Sequence, residues 1–185
     1  NRLVGKRIAL IRTNSEVDFK YAKQMVNLLR QAGAEVASVT SFLQPFDVSD
    51  DTIKKELVAA FGLTMVDPKL LVNELAEKIA QLICNGKGSA QMNLLQNKNL
   101  VQLWGDYSCG TVDTIVFLGG GSGDEGLIDL EKNLDQPLLD GFRKLNKTLV
   151  GVEPSFVKKS YMRLYQTKCQ GTVDNVETPP GEATL

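Results

Sequence analysis

Histidine is absent from the chain. Its absence removes the commonest general base, the Ser-His and Cys-His nucleophile pairs and the commonest transition-metal ligand. Cysteine is scarce: Cys84, Cys109 and Cys169 lie far apart, with no Cys-x-x-Cys pair. An odd number allows at most one internal bridge, so the chain is no disulfide-stapled module, and its thiols read as small, semi-buried side chains. No apolar run approaches the roughly 20 residues that cross a bilayer. The longest, Leu57 to Val66, already contains Gly62 and Thr64. There is no signal-peptide pattern, internal repeat or low-complexity segment. Nor is there a basic surplus: 21 basic residues stand against 22 acidic ones. Condensation on nucleic acid or anionic lipid is therefore not expected, and nucleic acid is excluded as a partner.

What is present is an ordinary globular composition, 43% hydrophobic and 23% charged over 185 residues, enough for one domain with its own core. Arg7 to Arg12 is a short apolar run between charges and reads as a strand buried on both faces. Thr13, Asn14 and Ser15 offer capping oxygens to a helix over Val17 to Ala32, in which Tyr21, Met25, Leu28 and Leu29 recur at helical spacing and Gly33 is the stop. Glu35 to Thr40 is a second strand, completing a βαβ unit. From Ser49 to Trp104 the pattern predicts three helical stretches and no strand. Ser49 or Asp50 caps the first, Pro68 opens the second, and Met92, Leu95, Val101 and Trp104 belong to the third. Strands follow at Thr114–Leu118 and Thr148–Val152, with a helix from Pro137 between them, and a short last strand is expected near Gly171–Val173. The expected fold is one α/β domain over residues 1–185: an open, mostly parallel, flavodoxin- or Rossmann-like sheet with a helical insertion at about 49–105.

Ligands of such sheets bind beyond the carboxyl ends of the strands. There the chain places Thr13 and Asn14, a glycine loop with Gly119, Gly121, Gly123 and Asp124, then Glu153, and finally Asp174. Gly121, Gly123 and Gly126 satisfy Gly-x-Gly-x-x-Gly, a backbone without Cβ atoms that lets N–H groups approach a pyrophosphate, while Glu153 stands where a ribose-binding acid would lie. The competing reading is a glycine-rich turn leaving a strand. Asp124, Glu125, Asp129 and Glu131 put negative charge where phosphates would sit, and no P-loop lysine follows. Asp124, Glu153 and Asp174 form a hard oxygen set for Mg²⁺ or Ca²⁺, although acids at loop–helix junctions more often cap helices. For Cu(I) the ligands would be Cys and Met. Met25 and Met92 fall on helix core faces, Met65 in a connection and Met162 alone, so no soft cluster forms. Ser108, Cys109 and Ser122 sit in glycine-flanked turns without a recognisable base, and no catalytic residue is assigned. Tyr107, Tyr161 and Tyr165 are too scattered for a stacking platform. No cofactor can be named.

Three stretches together resemble one family. They are Leu3-Val4-Gly5-Lys6-Arg7-Ile8-Ala9-Leu10-Ile11-Arg12-Thr13, then Val150-Gly151-Val152-Glu153-Pro154, then Gly171-Thr172-Val173-Asp174-Asn175-Val176-Glu177-Thr178-Pro179-Pro180-Gly181. With the Gln31-Ala32-Gly33-Ala34-Glu35-Val36 junction they are similar to the MctB family of copper transport outer membrane proteins. The resemblance implies a parent protein with an N-terminal membrane helix and a coiled coil ahead of this domain, and a short tail after it. It further implies homo-oligomer formation through that coiled coil, an extracytoplasmic position at the cell envelope, and a part in copper transport or homeostasis. The ends, Asn1 without an initiator methionine and Thr184-Leu185, read as cut points consistent with that arrangement.

Overall fold

In β1 (Arg7–Arg12) every residue after Arg7 is buried, and its side chains alternate between two cores. Ala9 and Ile11 enter one and Ile8 and Leu10 the other, which is the signature of a central strand covered on both faces. The computed structural model describes residues 3–46, 48–86, 89–107, 110–121 and 129–184. Within them β1 pairs in parallel with β2 (Glu35–Phe42) on one side and β4 (Thr114–Leu118) on the other. β5 (Thr148–Val152) and β6 (Gly171–Val173) extend the parallel set. β3 (Val101–Gly105) adds to the outer edge of β2 in the antiparallel sense, so the six-stranded order is β3-β2-β1-β4-β5-β6.

The segment from 49 to 105 departs from its expected all-helical form at its end. α2 (Asp51–Phe61), α3 (Pro68–Asn85) and α4 (Ser89–Asn97) form as read. Val101–Gly105, taken from its spacing for helix, is instead the edge strand β3. The reason is local. Asn99 turns left-handed with φ 54°, and Leu100 N–H bonds back to the Leu95 carbonyl at 2.9 Å. That closes the helix as a glycine would and sends the chain out extended. Asp50 caps α2 through the N–H groups of Thr52 and Ile53, and Gly62 ends it with φ 62°. α3 is capped by Asp67 with Pro68 in its first turn.

α1 (Phe19–Gln31) covers the Ile8/Leu10 face with Ala22, Met25 and Leu29. Its cap is Asp18, whose carboxylate accepts from Lys20 N–H at 2.8 Å, rather than Thr13, Asn14 or Ser15. The opposite face is buried by α2, α3, α4, α5 (Gln136–Lys144) and α6 (Met162–Lys168). One π-helical turn, Glu131–Asp135, leads into α5, and α7 (Pro179–Thr184) closes the described chain.

Candidate functional site

Sheet register decides which residues share the carboxyl edge. Arg12 pairs with Leu118, Leu118 with Val152, and Val152 with Val173. The next residue on each strand is Thr13, Gly119, Glu153 and Asp174, so these four stand in one row across β1, β4, β5 and β6. Asn14 and Gly121 lie one and two residues further out. Gly123 and Asp124 fall outside the described residues.

Proximity does not leave these groups open. Asn14 is 3% exposed; its Nδ2 donates to the Gly120 carbonyl at 2.7 Å and its Oδ1 accepts from Glu16 N–H at 2.8 Å. Gly119 N–H donates to the Val152 carbonyl, while Gly121 exchanges both backbone bonds with Lys159. Gly120 has φ +97°, and a Cβ there would stand 2.6 Å from Val157 Cγ1. The chain's own segment from Pro154 to Ser160 thus lies over the described part of the glycine loop, and the N–H groups of Gly119 and Gly121 already donate to carbonyls. Glu153 is 4% exposed. Its carboxylate accepts from the Ser160 hydroxyl and from Tyr161 N–H, fastening the same segment to the end of β5. Asp174 is exposed.

Beneath the row lies a polar cluster that the sequence reading did not single out. Tyr165 and Asp135 are both fully buried, and the Tyr165 hydroxyl donates to Asp135 Oδ2 at 2.5 Å. Burial, reinforced by Asp135, raises the phenol well above its ordinary value, so it stays protonated and acts as a donor. Thr13 Oγ1 faces the same spot. A Cβ on Gly119 would collide with the Tyr165 hydroxyl and stand 2.8 Å from Asp135 Oδ2 and 2.9 Å from Thr13 Oγ1. Thr13 is 3% exposed and its hydroxyl has no hydrogen-bond partner among the described residues. Arg12, also buried, fans its guanidinium over the Val17 carbonyl (2.7 Å), the Ser15 carbonyl (2.6 Å) and Ser41 Oγ (2.5 Å), locking the β1–α1 loop against β2. Burial lowers its pKa, with Asp18 opposing. The sequence signal for Asp135 and Tyr165 was slight, because neither belongs to a glycine loop or a strand end.

The described donors suited to a soft metal sit on different elements. Cys84 is buried near the end of α3, and burial pushes its thiol up to about 11. Cys169 caps α6, is half-buried, and is pushed up to about 12 by burial and by Asp135. Cys109 lies outside the described residues. Met25 belongs to the core on the α1 face and Met92 to the opposite core, so the sheet separates them, and Met65 is exposed. Among the described residues no group of three or more Cys, Asp or Glu is arranged to hold a metal ion. No described helix is long and apolar enough to cross a membrane. Tyr161 and Tyr165 are core residues.

A search of curated proteins finds no match to this chain. The family comparison is positive: residues 1–185, the whole chain, match the model for "Copper transport outer membrane protein, MctB", and the chain belongs to that family.

Proposed function

We propose that this chain is a non-catalytic, extracytoplasmic module of a membrane-anchored envelope protein, serving copper transport by assembly or ligand sensing rather than by carrying copper itself. The family supports the link to copper. The observation that carries the finer reading is the state of the soft donors. A Cu(I) ligand must be an accessible thiolate or thioether, whereas Cys84 is buried in the core on α3 and Cys169 is half-buried at the end of α6, and burial holds both as thiols in the metal-free chain. The sheet points the same way. A membrane barrel alternates lipid-facing and lumen-facing residues around a closed ring, but here helices bury both faces of β1 and β4. The test is alkylation mapping of the folded chain with and without stoichiometric Cu(I). The account expects Cys84 and Cys169 to react slowly and at the same rate in both samples. Protection of either thiol by Cu(I) would overturn it.

A second reading, a small-molecule or nucleotide site at the carboxyl edge, has one specific observation in its favour: the buried Thr13 hydroxyl, which has no partner among the described residues. The order of the five parallel strands, β2-β1-β4-β5-β6, supports a flavodoxin-like assignment, in which the ligand crevice opens between β1 and its β4 neighbour. A nucleotide panel read by melting temperature discriminates, since a ligand of the folded state must raise it. A rise abolished by Thr13→Val supports this reading; a flat response removes it.

A further inference from the structure

Away from the carboxyl edge, a cavity of about 330 Å³ opens between α1 and the β2–β3 border. Its origin lies in the late strand. β3 extends the sheet past β2, and Trp104 pairs in register with Val39, so both project toward the α1 side. α1 meets them with Phe19, Lys23, Val26 and Arg30, one stripe at helical spacing along the cavity wall. Phe19 stacks on Trp104 with ring centroids 4.2 Å apart, closing one end of the floor, while Trp104 remains 36% exposed. The size falls at the lower end of small-molecule sites, and the apolar floor with few polar groups is their usual lining.

Charge selects the occupant. Lys23 and Arg30 stand on the rim, about 10 Å apart along the helix axis, and no acidic residue lines the cavity among the described residues. Lys23 Nζ lies 5.5 Å from the Phe19 ring centroid, so the cation is tethered at the aromatic end. We propose that this groove binds a small amphipathic carboxylate, its apolar body on Val39, Val26 and Trp104 and its head group at Lys23 or Arg30. The site is separate from the carboxyl edge and stands whether or not the chain touches copper.

Trp104 is the single tryptophan of the chain, so its emission reports on this site alone. The probe is decanoate, kept below its micelle-forming concentration, with decan-1-ol as the uncharged counterpart of the same body. The expected result is a saturable blue shift with decanoate, and roughly tenfold weaker binding of the alcohol, the loss that goes with one charge-assisted contact. Lys23→Gln combined with Arg30→Gln, both exposed positions, brings decanoate to the affinity of the alcohol while leaving the melting temperature in place. Val26→Phe fills the groove and weakens both probes, which keeps the test decisive if the double variant folds poorly. No saturable shift, equal affinity for acid and alcohol, or a double variant that binds decanoate as before would overturn the proposal. So would a chain that sediments as a dimer and is dissolved to monomer by the double variant, because the groove would then belong to a second copy.

Discussion

Tyr165 rests against two glycines on neighbouring strands. A Cβ at Gly119 would collide with its hydroxyl, and one at Gly151 with its Cβ and ring. Since Tyr165 is fully buried and held by Asp135, it has nowhere to retreat. Gly119→Ala should therefore destabilise the fold by about 3 kcal/mol, the upper range of overpacking, measured by denaturant unfolding. Tyr165→Phe added to it should recover part of the loss by removing the colliding oxygen, so the two changes should be strongly non-additive. At the surface, Glu74 accepts from Met65 N–H at 3.0 Å and from Thr64 N–H at 2.8 Å. These bonds, the Met65 one foremost, hold its carboxyl below the usual carboxylate value. A lowered folded pKa means stability that is complete above the unfolded value of about 4.3 and is lost as pH falls through the folded one. Glu74→Gln should lower the melting temperature at neutral pH, with the gap to the parent chain closing as the solution is acidified below pH 4; a gap independent of pH would contradict this. The row of Thr13, Gly119, Glu153 and Asp174 was legible because each residue follows a recognisable strand. Their partners were not. Asp135 and Tyr165 lie 30 residues apart and meet only through the packing of α5 against α6.

Helices announced themselves by their ends. Asp50, one of the two caps read for it, opens α2 and Gly62 ends it, and Pro68 opens α3 one position after the Asp67 cap. Asp67 Oδ1 accepts from Lys69 and Leu70 N–H, both at 3.0 Å. Asp67→Ala should lower stability by about 1 kcal/mol, the usual worth of a side-chain cap; an unchanged unfolding midpoint would show that tertiary packing alone sets the start of α3. β3 was misread because Val101 and Trp104 continue, at a helical interval, the apolar spacing of Met92 and Leu95. The stop signal was Asn99, whose left-handed turn is one that asparagine tolerates better than most side chains. A bulge in β2 at Ala37 then meets the chain just past the end of β3. The β1–β2 register shifts between Ile8 and Ala9, and the Ala37 carbonyl accepts from Asp106 N–H at 2.9 Å. β3 itself pairs with β2 in unbroken antiparallel register over five residues, too short a run to show a periodicity of its own.

Across the whole molecule, the parallel sheet and its helical layers follow from the alternation of buried runs and capped helices, and this part was legible from composition and spacing. The covering of the described glycine loop by the Pro154–Ser160 segment was not, since it depends on Glu153 gripping Ser160 and Tyr161 and on Gly121 pairing with Lys159. The same organisation bears on copper. Cys84 is buried on α3 and Cys169 half-buried at the end of α6, and two of the methionines lie in cores on opposite sides of the sheet. The direct measurement is a Cu(I) competition titration of the purified chain against a chromophoric chelator under reducing conditions, beside a variant with Cys84, Cys109 and Cys169 all changed to Ser. The account predicts that the chelator keeps its copper in both samples, leaving copper handling to other parts of the assembly. Tight, stoichiometric transfer of Cu(I) to the parent chain, lost in the variant, would contradict it and make this domain the carrier.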